Sequence, residues 1–351
     1  MVPFIRIIAL TLSLMLLNGC YLLKQGSYLL RYQMRARNIN RMLKRDDISE
    51  ELKEFLYRVK DIRTFAIDSL GLRNNNNYCN YVQTDRKYMV DVVAGAREDS
   101  FEMYRWWFPF FGRFPYKGFF VREDALKEAA RLKNRGYDVS VARAMAFSTL
   151  GFFSDPVYSF MKEFTAYELA VLIIHEQMHA TVWLKEQIQF NEEIATFAGN
   201  QGGLQYVKML YGKDSPEYTE AILSQKDYDT YIDLVRDLFK MLDSLYSSEI
   251  EREDKLAKKE LVIDGFKERI GSDYDLLFRT DQYRGLAMAA INNAFIASRM
   301  TYTLDLSLLY ELYEKEGNDL AAVILKIKQV KKYRGDDPKD FIEELLTEGD
   351  P

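Results

Sequence analysis

The chain has 351 residues and a net charge of −5, from 48 basic and 53 acidic side chains, with no basic stripe; that balance argues against nucleic acid as a partner. Its 24 Tyr and 22 Phe against 7 Pro supply a large packed core, in one domain or two intimate ones. No internal repeat and no low-complexity linker divides it.

Residues 1–19 carry one early charge, Arg6, then an apolar run from Ile7 to Leu17 that ends in Leu17-Asn18-Gly19-Cys20. About twenty apolar residues are needed to cross a bilayer, so the run reads as a secretory signal peptide rather than a span. Leu-x-Gly-Cys looks like a bacterial lipobox, which implies cleavage before Cys20 and lipidation of its thiol. The alternative is an uncleaved anchor, and both readings put the rest of the chain outside the cytoplasmic membrane. Tyr21, where an aspartate would stand in a retained protein, points to the outer membrane facing the periplasm in enteric-type bacteria. Lipidation leaves Cys79 as the one free thiol, in the Asn-rich stretch 74–80, so no intramolecular disulfide is possible and stability must come from the core.

Residues 27–70 read as helical, with a turn near Asp46-Asp47 and Ser49 capping the next helix. Strands are predicted over Tyr88–Ala94, Phe101–Trp107 and Tyr116–Val121, a helix over Glu123–Asn134, and a strand over Tyr137–Ala144 after Arg135-Gly136. From Pro156 onward nearly everything reads as helix. The dense charges of Ser248–Lys259 read as a solvated helix face held by i,i+4 pairs. The class is α+β, mainly α, with a leader (1–19) and one domain (20–351): a helical and small-sheet region to 155, then a helical region.

Only two histidines exist, and both lie in His175-Glu176-Gln177-Met178-His179. On a helix this H-E-x-x-H spacing puts two imidazoles on one face, able to grip one Zn²⁺, with Glu176 directed at a metal-activated water. The flanks 170–174 and 180–184 are apolar, and a buried helix holding these polar groups needs compensation that a metal provides. A catalytic zinc takes three protein ligands and leaves a position for water. With no histidine left and the cysteines distant, the third must be a carboxylate. Glu192 and Glu193 open a second apolar helix, with Asn191 as its expected N-cap. They also suit ordinary first-turn acids, and one can face a metal while the other faces solvent.

His-Glu-x-x-His followed by Asn191-Glu192-Glu193-Ile194-Ala195-Thr196 resembles the glutamate-zincin peptidases, the group of thermolysin and the M1 aminopeptidases. The resemblance implies Glu192 as third ligand, with Glu193 as fallback; the spacing from His179 to Glu192 is shorter than in those two groups. Tyr116-Lys117-Gly118-Phe119-Phe120, Gly136-Tyr137-Asp138-Val139, the run from Phe147 to Pro156, the histidine motif, Phe190-Asn191-Glu192 and Asn292-Asn293-Ala294 resemble, in the same order, the bacterial predicted-aminopeptidase lipoprotein family. That resemblance spans about Gly26 to Leu320. Relatives often carry a cysteine pair around Trp107 to Arg113, which this chain lacks.

The resemblance implies a zincin-like fold, in which an edge strand beside the zinc helix holds the substrate backbone; residues 139–149 are the expected edge. The expected activity is a membrane-anchored zinc metallopeptidase acting on peptides or proteins, an aminopeptidase by family, with Glu176 as base and then acid. Tyr302 or Arg299 would serve the oxyanion, and Asn292 and Asn293, odd in an apolar helix, suggest a supporting or substrate role. Glu193 and Asp155 are candidates for holding a substrate's amino end. The alternatives are an envelope endopeptidase of the same mechanism and a zinc-binding scaffold lipoprotein without activity.

Overall fold

The structure, a computed structural model, describes residues 21–108, 112–145, 154–300 and 305–347. The leader, Cys20 and Tyr302 lie outside these residues. The fold is mainly helical with small sheets, as the α+β, mainly α class requires.

The N-terminal helical stretch is interrupted. Helix α1 (residues 21–35) gives way to the short strand β1 (Arg37–Asn38), which pairs antiparallel with β2 (Asn80–Val82). Asn38 then caps α2 (Ile39–Met42) by accepting from the Arg41 N–H. Helix α3 (Glu50–Thr64) starts where the sequence indicates: Ser49 Oγ accepts from Leu52 N at 3.2 Å.

Strand β3 (Val90–Arg97) is the centre of a three-stranded antiparallel sheet, between β6 (Tyr116–Phe119) and β7 (Tyr137–Ala144). The short hairpin β4 (Trp106–Phe108) and β5 (Gly112–Phe114) stands beside it, shorter than the strand expected from Phe101. β7 lies where it is predicted, after helix α4 (Arg122–Lys133) and a turn at Gly136, whose φ of +75° suits glycine. β3 begins two residues later than expected and runs on through Ala94-Gly95-Ala96. Those small residues read as a strand end, yet they let α4 close on the sheet: a Cβ on Gly95 would stand 3.0 Å from Leu132 Cδ1.

Beyond residue 156 helices dominate, apart from β8 (Val157–Tyr158), which pairs parallel with β2. Helix α5 (Ala166–Thr181) opens on a capping box, Thr165 Oγ1 accepting from Glu168 N and Glu168 accepting from Thr165 N. It ends where Thr181 Oγ1 turns back to Gln177 O and Val182 becomes extended. Helix α6 (Ile188–Tyr211) returns antiparallel along it, with Gly199 against His175 and Gly203 against Tyr167. Together with α3, β2, β8 and the C-terminal helices α11 (Ser307–Lys315), α12 (Leu320–Ile327) and α13 (Pro338–Thr347) this pair forms the largest core. Each fully buried Leu or Ile there contributes about 1.5–3 kcal/mol.

A second core joins α7 (Pro216–Tyr246), α8 (Arg252–Ser272), the short α9 (Tyr274–Leu277) and α10 (Asn293–Met300); a third lies between the sheet and α4. Among the described residues no helix is long and apolar enough to cross a membrane.

Three expectations are corrected by this packing. Helix α6 begins at Ile188 rather than at an Asn191 cap; Asn191 is fully buried, accepts from Leu184 N at 2.9 Å and donates to Leu184 O at 2.8 Å, closing the loop between α5 and α6. Among the described residues no i,i+4 ion pair holds the charges of 248–259; within the helix Lys259 pairs with its neighbour Glu260, at 3.7 Å. Arg252 bonds Glu98 and Asp99, and the buried Lys259 donates to Asp138 Oδ2 at 3.0 Å and Glu98 O at 3.2 Å, fixing α8 to the sheet. Asn292 and Asn293 do the same for α10. Asn292 Nδ2 donates to Val139 O, while Asn293 Nδ2 donates to the carbonyls of Arg97, Glu98 and Ser100 and its Oδ1 accepts from Tyr246. Their polarity is spent on backbone groups and on the Tyr246 hydroxyl.

Candidate metal centre

Helix α5 presents His175 and His179 one turn apart, and α6 brings Glu192 across to them. The two Nε2 atoms face each other at 3.0 Å; Glu192 Oε2 lies 3.6 Å from His175 Nε2 and Oε1 lies 3.4 Å from His179 Nε2. An ion held tetrahedrally by bonds of about 2.0–2.2 Å keeps its ligand atoms about 3.3 Å apart. The contacts lie near that spacing, although the two histidines meet different oxygens of Glu192, and two imidazole nitrogens with a carboxylate are a donor set that a divalent transition metal accepts. The side chains are 22%, 13% and 25% exposed, so the site is sheltered but reachable. Among the described residues this is the one group of three or more candidate ligands whose atoms converge.

The electrostatics agree. Burial would raise the Glu192 carboxyl, but hydrogen bonding and charge from His175 and His179 outweigh it and hold the group down at about 2. A carboxylate kept ionised there is ready to ligate. His179 Nδ1 is buried without a hydrogen-bond partner, so its ring lacks the outer acceptor that usually orients a metal-bound imidazole. Ring packing supplies part of that orientation, since His179 meets His175 and Trp183 edge-to-face, at centroid distances of 4.7 and 5.5 Å.

Glycine makes the helix approach possible. A Cβ on Gly199 would stand 2.9 Å from Val171 O and 3.2 Å from His175 Cβ, closer than a side chain can be placed without moving the backbone. Glu192 reaches the histidines because α6 lies this close to α5.

Glu176 occupies the middle of the motif, half-buried. Within reach of its charge lies a residue that the sequence does not single out, Tyr78. It is 2% exposed and adopts φ +58°, a left-handed conformation uncommon for a bulky residue. Burial, then the charges of Glu176 and Asp155, push its phenol well above the ordinary tyrosine range. The backbone there is clamped: Tyr78 N donates to Asp155 O at 2.6 Å, and Arg63 donates to the carbonyls of Asn75 and Asn77, both at 2.7 Å. Arg73 N also donates to Thr181 Oγ1 at the end of α5. The Asn-rich segment is thus clamped, and Arg73 just before it is tied to the end of α5. No signal in the sequence links it to the histidine motif, since the two are far apart along the chain.

Other candidates fall elsewhere. Glu193, one residue from Glu192, turns the opposite way and is 1% exposed, where it pairs with Lys339 at 2.9 Å and accepts from Gln189 and Asp305 N. It is neither the solvent-facing partner, nor the fallback ligand, nor open to a substrate's amino end. Arg299 donates to Tyr231 and to Phe295 O within the second core. Asp155 serves the Tyr78 loop through its backbone. Of the expected edge strand, residues 146–149 lie outside the described residues; 139–144 form part of the β7 edge, where Asn292 occupies the Val139 carbonyl.

No curated protein and no solved structure shows significant similarity to the chain. One family, described as "Putative aminopeptidase", matches residues 20–340. With nearly the whole chain inside that match, and a peptidase-type histidine pair and glutamate brought together in the fold, the protein belongs to this aminopeptidase family.

Proposed function

We propose that this protein is a zinc-dependent peptidase that removes residues from the amino end of peptides, held at the bacterial cell envelope, facing the periplasm, by lipid on Cys20. The observation that carries the reading is the convergence of His175, His179 and Glu192, the imidazole nitrogens 3.0 Å apart and the two Glu192 oxygens 3.6 Å from His175 and 3.4 Å from His179. His175 Nε2, His179 Nε2 and a Glu192 oxygen would hold the ion, which when bound supplies Lewis acidity toward a peptide carbonyl and a water.

The chain's own residues do the rest. Glu176 takes a proton from the attacking water and delivers it to the leaving amine. Tyr78, buried and protonated, keeps a neutral group within reach of the Glu176 charge. Tyr302 is proposed as the donor to the developing oxyanion. Trp183, exposed beside His179, offers an apolar face to substrate. The anchor rests on Leu17-Asn18-Gly19-Cys20, and a Cys20→Ser protein should leave the membrane fraction.

Glu176→Gln tests the mechanism. It should keep its metal and lose roughly 100- to 10,000-fold in kcat. Full peptidase activity in metal-loaded Glu176→Gln protein contradicts the proposal.

A further inference from the structure

Helix α1 has two unlike faces. The inner one is fixed to the rest of the molecule: Gln25 accepts from Phe120 N at 3.0 Å, Gln33 donates to Ser154 O at 3.1 Å, and Tyr32 meets Tyr158 edge-to-face at 5.7 Å. The outer face carries Leu23, Leu30 and Met34, which are 77%, 50% and 72% exposed. At about 100° per residue these three fall within about 40° of one another around the helix and run about 16 Å along it. Single exposed apolar residues are ordinary, but three in one line on one element mark a contact surface.

A basic line runs beside the apolar one. Lys24, Arg31 and Arg35 each follow one of the three apolar residues, so they lie about 100° further round, and all are exposed. Lys24 pairs with Asp124 and Arg31 lies over the Tyr28 ring; among the described residues Arg31 and Arg35 have no ion pair. The bias continues along the chain. Residues 1–45 hold eight of the 48 basic side chains and none of the 53 acidic ones, a local excess that the net charge of −5 masks.

What precedes the helix indicates what covers this face. Helix α1 begins at the residue after Cys20, behind the apolar run Ile7 to Leu17, so a lipid on that thiol would hold its first turn at a bilayer surface. Standing upright, the helix would lift Met34 about 20 Å from that surface. Lying flat, it brings all three apolar side chains to one depth and the basic line to the level of the headgroup phosphates. An amphipathic helix with a basic flank binds a bilayer in this way, drawn to anionic lipid. The apolar line suits lipid and does not suit a nucleic-acid backbone.

We infer that α1 is a membrane-contacting helix: Leu23, Leu30 and Met34 enter the headgroup region of an anionic bilayer, Lys24, Arg31 and Arg35 meet its phosphates, and the contact orients the rest of the protein. The inference rests on the envelope reading of residues 1–20 for its bilayer, but it does not need the lipid. The contact is weak and reversible, so it orients a protein that the lipid retains, and a Cys20→Ser protein still leaves the membrane fraction. The chain from Tyr21 onward keeps every element described above and tests the helix alone. At low salt it should cosediment with vesicles of mixed phosphatidylglycerol and phosphatidylcholine at least tenfold better than with phosphatidylcholine alone. Leu30→Gln with Met34→Gln should lower that binding at least tenfold without lowering Tm. Arg31→Gln with Arg35→Gln should remove most of the preference for anionic lipid, and Leu261→Gln, at a leucine 71% exposed on α8, should change neither. No binding to the anionic vesicles, or undiminished binding in the Leu30 and Met34 variant, overturns the inference. So does a dimer of the lipid-free chain that the same two changes dissociate, since a second copy would then be the occupant. A mature protein whose Cys20 carries no lipid by mass spectrometry would instead sink the anchor reading and leave the vesicle result standing.

Discussion

Gln177 shows what the histidine motif costs at the scale of a single residue. It sits between Glu176 and Met178, is completely buried, and neither atom of its side-chain amide has a hydrogen-bond partner. A buried polar group left unpaired costs about 1–3 kcal/mol, so Gln177→Met, similar in volume and apolar, should raise Tm and leave metal content unchanged. A lower Tm would show that the amide has a partner after all. At this scale the sequence is informative where the chemistry is local. His175, Glu176 and His179 lie within two helical turns, so their shared face follows from helix geometry alone. Glu192 is legible through its placement after Asn191 in the resemblance, but only the packing separates it from Glu193, one residue on and turned into the Lys339 pair. Tyr78 is illegible because its left-handed backbone depends on Arg63 and Asp155, contacts made across the fold.

Among elements, the α5 and α6 pair sets the geometry of the site, and its glycines control the distance. Gly199→Ala forces a Cβ against the Val171 carbonyl and His175, so α6 must move outward and carry Glu192 with it. Overpacking of this kind costs about 1–3 kcal/mol, and zinc affinity should fall with stability. Gly265→Ala makes the opposite case: Gly265 lies in exposed α8 with nothing within 4 Å of a built Cβ, so the change should stabilise by about 0.5–1 kcal/mol. Thermal unfolding and a zinc-competition titration of both variants check the pair. An undisturbed zinc affinity in Gly199→Ala would show that helix spacing does not set the triad. Elements with strong local signals were legible: β7 after Gly136, α4 before it, and α3 behind Ser49. The start of α6 and the true use of the 248–259 charges were not, because Asn191 and Lys259 bond to groups on other elements.

For the whole molecule, three cores divide the labour. The largest holds α5 and α6 in place, the second assembles α7 with α8 and α10, and the third backs the sheet; Lys259, Asn292 and Asn293 fasten the second to the third. The helical class could be read from the apolar periodicity and the Pro-poor C-terminal half. The Lys339 pair that turns Glu193 inward could not, since it joins segments that are distant in sequence. The central claim is that α5 and α6 together bind a catalytic metal, and its most direct measurement is elemental analysis of folded protein beginning after Cys20. The account predicts about one zinc per chain, lost in His175→Ala and in Glu192→Ala while both variants remain folded. A folded wild-type protein that binds no metal when zinc is supplied would contradict it.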